Sequence, residues 1–343
     1  MTTETADSRY YYFDFLRVFG AFAVMVLHVA ASKWGTTDIH TFEWEAMNFY
    51  DSIVRWAVPV FVMISGALFL SRDIPVRKIY SKYIFRVFTA FVFWAFFYVC
   101  LDYVDMSIMG INFIHGRFLH MWFLFMIAGL YMIVPFVKKI AESEFLTKYF
   151  LVIAFFFAFL FPQTVNIISI FSERDGEFAR SLANNFHLQF VGGFTAYFLL
   201  GYFLNNALIS RRAEHLIYIA GIAGFAATVL MSLHASLFIG KPSGIFYNEH
   251  TVNVMFESIS VFVFFKAKFN RPSRIIRALS QYSFGAYLVH VAVIGIITNK
   301  LGLDTLTFNP LLSIPVISVI VFVISFGISA VLNHIPVIKK YIV

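Results

Sequence analysis

The 343-residue chain is poor in charge: only 13% of its residues are Asp, Glu, Lys or Arg, against about 25% in an average soluble protein. A soluble fold of this length must clothe its core in polar side chains, and too few are available. A disordered chain, which depends on charge and polarity, is excluded for the same reason. Cysteine is nearly absent. Cys100 stands alone, which rules out an internal disulfide and a metal–thiolate cluster. No small-residue cleavage pattern follows the first apolar run, so that run reads as a retained helix and not a signal peptide. Strand-type alternation is missing, which argues against a membrane barrel. No internal repeat and no soluble segment stand out.

Apolar residues make up 60% of the chain, 45 of them Phe, and the mean hydropathy is +0.79. A helix needs about 20 apolar residues to cross a ~30 Å hydrocarbon core. Ten such runs are expected, near 10–31, 48–70, 81–101, 119–137, 147–162, 190–206, 214–233, 251–268, 279–298 and 309–332. The expected fold is an all-α polytopic membrane protein of about ten helices. One domain over 1–343, with no fused soluble domain, is expected.

The net charge is +7. It resembles a nucleic-acid footprint only until the loops are sorted. Eighteen of the 26 basic residues fall at one set of helix ends, six on the opposite set and two inside spans. Arg9, Arg77, Lys78, Lys138, Lys139, Arg211, Arg212, Lys339 and Lys340 belong to the rich side. Lys33, Arg117, Arg174, Arg180, Lys241 and Lys300 are the poor side. Basic residues collect in cytoplasmic loops. Both termini are therefore expected in the cytoplasm.

Ionisable groups inside spans are costly and mark function by default. The candidates are Asp14, Arg17, His28, Arg55, His120, Glu257 and His290, with Arg86 where the third run enters the membrane. On helix 1, His28 follows Arg17 by eleven residues, almost three turns and roughly 16 Å. The two share a face, and Asp14 is placed to pair with Arg17. His28, Arg55, His120 and Glu257 fall at similar depth, as one outer cluster would require. Plainer readings stand beside these. A lone His is often an interhelical hydrogen-bonding residue, Arg55 and Glu257 could be a structural ion pair, and Lys82 with Arg86 could simply obey the charge rule.

Residues 12–28, Tyr-Phe-Asp-Phe-Leu-Arg-Val-Phe-Gly-Ala-Phe-Ala-Val-Met-Val-Leu-His, resemble the first helix of the membrane-bound acyltransferase-3 family, which has a basic residue, ten residues, then His. Val58-Pro-Val-Phe-Val-Met-Ile-Ser-Gly66 is similar to its Pro-x-Phe-Phe-x-x-Ser-Gly segment. Lys82-x-x-x-Arg86, His120-Met-Trp-Phe-Leu124 and Ser283-Phe-Gly-Ala-Tyr-Leu-Val-His290 resemble three further segments, in the family's order. Within the family the likeness is greatest to bacterial surface-polysaccharide O-acyltransferases, of the enterobacterial common antigen O-acetyltransferase type.

The resemblance implies transfer of an acyl group, most often acetyl, from cytoplasmic acyl-coenzyme A to a hydroxyl of a surface glycan or lipid-linked saccharide. It implies a multi-pass protein of the bacterial inner membrane, among membrane lipid, with acetyl-CoA as donor substrate and no metal. His28 and Arg17 become the catalytic candidates. Arg77, Lys78, Lys82 and Arg86 become candidates for the donor's phosphates. Arg55, His120, Trp122, Glu257 and His290 become candidates for the acceptor side. His28 suits either general-base catalysis or a transient acyl-histidine. Two other readings compete: a proton-coupled transporter or lipid-linked sugar flippase, and a different membrane acyltransferase class acting on lipids or proteins.

Overall fold

The computed structural model describes residues 10–104, 120–172, 178 and 192–343. Arg9, Arg117, Arg174, Arg180 and most of the stretch between the fifth and sixth expected runs lie outside the described residues. Among the described residues every regular element is helical. The membrane-length helices are α1 Tyr12–Trp34, a broken pair α2 Phe42–Ser52 and α3 Ala57–Leu70, α4 Val76–Leu101, α5 Trp122–Ala141 and α6 Glu144–Phe171. After them come α7 Gly193–Asn206, α8 Arg211–Ile239, α9 Val252–Lys268, α10 Arg274–Leu301, α11 Pro310–Asn333 and the short α12 Pro336–Tyr341. Eight helical spans, with α2 and α3 taken together, are long and apolar enough to cross a membrane. The other two expected runs fall on α7 and α9, of 14 and 17 residues, or roughly 21 and 26 Å at 1.5 Å per residue.

Helix α1 occupies the middle. It touches α2, α3, α9, α10 and α11, and most of its side chains are buried. Around it α3 packs on α7, α8 on α9, and α10 on α11. In lipid such contacts depend on close packing, because apolar side chains gain little from leaving lipid for protein. The α3–α7 crossing is the tightest. A Cβ on Gly66 would sit 1.7 Å from the Phe198 carbonyl oxygen, and one on Gly201 would sit 2.0 Å from that of Met63. Backbone meets backbone there, and only glycine fits on both sides. The Ser-Gly ending of the 58–66 segment is thus a packing feature as well as a motif.

Two apolar cores result. One gathers the start of α1 with α3, α5, α7 and α9. The other gathers the later part of α1 with α10, α11 and the middle of α4. Phe61 and Val87 pack against both. The largely apolar cavity described next has these two residues in its wall, together with members of each core. A π-helical stretch, Ile79–Ile84, opens α4. Such wide turns recur at functional sites.

Candidate active site

Arg17, Val24 and His28 lie on one stripe of α1, and all three line a cavity of 390 Å³. The wall opposite comes from α3 (Ile64, Ser65, Phe69), α4 (Tyr83, Arg86), α5 (Trp122, Ile127, Tyr131) and α10 (Ser283, Tyr287). The cavity is mostly apolar, and its polar groups sort by position. Arg17, Arg86, Tyr83 and Tyr131 lie toward the beginnings of α1 and α4 and the end of α5. His28, His120 and Trp122 lie toward the opposite end.

At the arginine end, Arg17 Nη1 is 3.4 Å from Asp14 Oδ1, the expected i,i+3 pair. Asp14 is buried and also accepts from Ser280 Oγ at 2.7 Å. It ties α1 to α10 while fixing the arginine. Arg86 Nη2 donates to the Val343 carbonyl at 2.6 Å, and its guanidinium lies 5.6 Å from the Phe284 ring. Tyr83, Arg86 and Val87 line the cavity, whereas Lys82, Arg77 and Lys78 are exposed and outside its lining.

At the histidine end, His28 Nδ1 is 2.8 Å from the Val24 carbonyl. A carbonyl only accepts, so Nδ1 carries the hydrogen, and neutral His28 keeps a lone pair on Nε2. That nitrogen has no hydrogen-bond partner among the described residues, on a side chain that faces the cavity. His120 and Trp122 stand nearby at the start of α5. The Tyr287 hydroxyl donates to the His120 carbonyl, and Trp122 rests against Phe194 with ring centroids 5.5 Å apart. His290 is fully buried behind His28, outside the lining.

Of the four residues expected at similar depth, His28 and His120 line the cavity. Arg55 and Glu257 do not line the cavity. Arg55 pairs with Asp51 at 2.5 Å, lies 4.1 Å over the Tyr247 ring and donates to the Tyr247 carbonyl at 3.5 Å. Glu257 takes its hydrogen bond from Thr228 Oγ1 at 2.5 Å, across the α8–α9 contact. The Arg55–Glu257 pair considered from sequence is therefore replaced by Arg55–Asp51. Asp51 was the missed member, although its place four residues before Arg55 on a helical run was a usable signal. Tyr83, Tyr131 and Ser65 were missed too. With 17 Tyr and 45 Phe in the chain, no local pattern separates a cavity tyrosine from a lipid-facing one.

A second, shallower cleft of 430 Å³ is lined by Arg72, Asp73, Ile74, Pro75, Val134, Lys138, Lys139 and Glu142. It borders the next turns of α5. Phe123, Ile127 and Tyr131 face the cavity, and Val134 and Lys138 follow on the same stripe. Lys138 holds Asp73 and the Arg72 carbonyl, and this contact keeps the Asp73 carboxyl below its usual range.

A family model described as an acyltransferase domain matches residues 10–331 of the chain. No curated protein and no solved structure matches it.

Proposed function

The chain belongs to the acyltransferase-3 family, and from that premise we propose that it carries an acyl group, acetyl foremost, from cytoplasmic acyl-CoA to a hydroxyl of a cell-surface polysaccharide or its lipid-linked precursor. In this reading it resides in the bacterial inner membrane with both termini in the cytoplasm. The observation that carries the reading is the cavity itself. It joins two arginines at one end to an imidazole with a bare Nε2 at the other.

The donor is a long polyanion ending in a thioester, and the two cavities in series suit its shape. Arg72, Lys138 and Lys139 border the cleft, where charge-assisted contacts to phosphates are available. Arg77, Lys78 and Lys82 add positive charge on the same face. The pantetheine arm then runs past Arg86 and Arg17 in the apolar cavity. Arg17, oriented by Asp14, is a donor for pantetheine or for charge that develops on the carbonyl oxygen.

At the far end, His28 Nε2 takes the proton of the acceptor hydroxyl as its oxygen attacks the thioester carbonyl. The new C–O bond forms, the C–S bond breaks, and His28 returns the proton to the departing thiolate. Proton transfer of this kind commonly contributes ~10²–10⁴-fold. The same free nitrogen suits an acyl-histidine route. His120 and Trp122 border the acceptor's approach. Arg55 and Glu257 stand outside the lining, Arg55 on Asp51 and Tyr247 and Glu257 on Thr228.

Membranes containing wild type or His28→Ala, incubated with labelled acetyl-CoA, test this reading. Label is expected in saccharide for wild type and at background for the variant, at equal protein level. Label in lipid or protein alone would reassign the acceptor. Full transfer by His28→Ala would remove His28 from the chemistry.

A further inference from the structure

We infer that His290 is a positioning residue that holds His28 in the tautomer with a bare Nε2, acting from behind the cavity without touching substrate. This rests on the proposed role of His28.

The hydrogen count carries it. His290 Nδ1 lies 2.5 Å from the Tyr287 carbonyl, so it too bears its ring hydrogen there, and neutral His290 presents a lone pair at Nε2. That Nε2 is 3.4 Å from His28 Nδ1, and the rings meet edge-on at a centroid distance of 4.8 Å. The His28 Nδ1–H therefore faces two acceptors, the Val24 carbonyl at 2.8 Å and His290 Nε2. In the other tautomer His28 would aim a lone pair at two lone pairs. The second acceptor also steadies the imidazolium that forms when His28 takes the hydroxyl proton, because that charge is shared with Nδ1–H. Which ring nitrogen is basic is set by the bond the other one makes.

The placement of His290 fits a supporting role. It is fully buried, and its surroundings are pinned. Tyr287 stacks on it at 5.8 Å and bonds the His120 carbonyl. The Tyr98 hydroxyl donates to the neighbouring Leu288 carbonyl at 2.8 Å. The His120 ring stands perpendicular to it at 5.6 Å. Among the described residues no carboxylate occupies the position behind His28 that an orienting acid fills in a Ser-His-Asp arrangement. A neutral imidazole takes that place and avoids burying a charge.

His290→Phe keeps the ring volume and removes the acceptor. His290→Gln keeps an acceptor near the Nε2 position. The phenylalanine variant is expected to lose about tenfold or more in kcat, the scale seen when the outer partner of a metal-bound imidazole is removed. KM for acyl-CoA and acceptor should stay within about twofold, and His290→Gln should recover much of the loss. Equal losses in both variants, or none in His290→Phe, would overturn the inference. Nitrogen-15 NMR of histidine-labelled wild type is a second readout independent of turnover. His28 is expected to show a protonated Nδ1 and bare Nε2, turning to mixed tautomers in His290→Phe. The opposite tautomer in wild type would also overturn it. If wild type transfers nothing from any acyl-CoA, the functional proposal fails, and the NMR experiment still decides the positioning role.

Discussion

A guanidinium or imidazole inside a membrane protein survives only with partners, and each residue of the site shows what supplies them. Arg17 leans on Asp14, which Ser280 holds in turn. Arg55 leans on the fully buried Asp51. Removing one member of a buried pair strands the other, at about 3–5 kcal/mol. Asp51→Ala is therefore expected to lower thermal stability in detergent strongly. Asp51→Leu combined with Arg55→Met should recover most of it. Equal losses in the single and double variants would show that the pair is not what stabilises α2. At the donor end, charge reversal at Arg72 and Lys139 should raise KM for acetyl-CoA about tenfold, as expected for the loss of two charge-assisted contacts. Acetyl-pantetheine, which lacks the nucleotide, should be affected less than about twofold. A parallel rise for both donors would place the nucleotide elsewhere.

Helix contacts make their own predictions. A methyl group at Gly66 has no room against the Phe198 carbonyl, so Gly66→Ala is expected to cost about 3 kcal/mol or more, beyond ordinary overpacking. Gly129 on α5 has nothing within 4 Å of an added Cβ. Gly129→Ala should be neutral or stabilising by up to about 1 kcal/mol. Thermal unfolding of both variants checks the pair. Between α8 and α9, burial lowers the His250 imidazole to about 4. A lowered folded-state value means that the unfolded chain binds the extra proton, so stability is full above about pH 6.5 and falls as pH drops toward 4. The loss would reach up to about 3 kcal/mol. Glu249, raised by its own burial, acts in the opposite sense. His250→Gln should flatten the slope between pH 6.5 and 4, and an unchanged slope would assign it to other groups. The helices were legible in the sequence because lipid imposes a length and an apolar run on every span. The breaks were not. The turn separating α2 from α3 and the π turn that precedes Arg86 in α4 leave no mark in the apolar pattern.

For the whole molecule, sequence alone gave the pairing of Arg17 with His28 on one face, because eleven residues close nearly three turns of a single helix. Partners that lie far apart in sequence were beyond it. Asp51 stands only four residues before Arg55 and was within reach, but nothing in residues 253–257 announces that Glu257 turns to Thr228, and nothing near 290 announces that His290 stands behind His28. Those follow from how α10 and α9 settle against α1. The charge asymmetry sets the expected direction, with the arginine end toward the cytoplasm and His28 toward the outer face. In the proposed function one cavity joins a cytoplasmic donor to an acceptor at His28. Sealed vesicles of known orientation, given labelled acetyl-CoA on one face only, test it most directly. Label should reach saccharide when the donor is supplied at the cytoplasmic face of wild type, and stay at background from the outer face or with His28→Ala. Transfer from the outer face, or undiminished transfer by His28→Ala, would contradict the account.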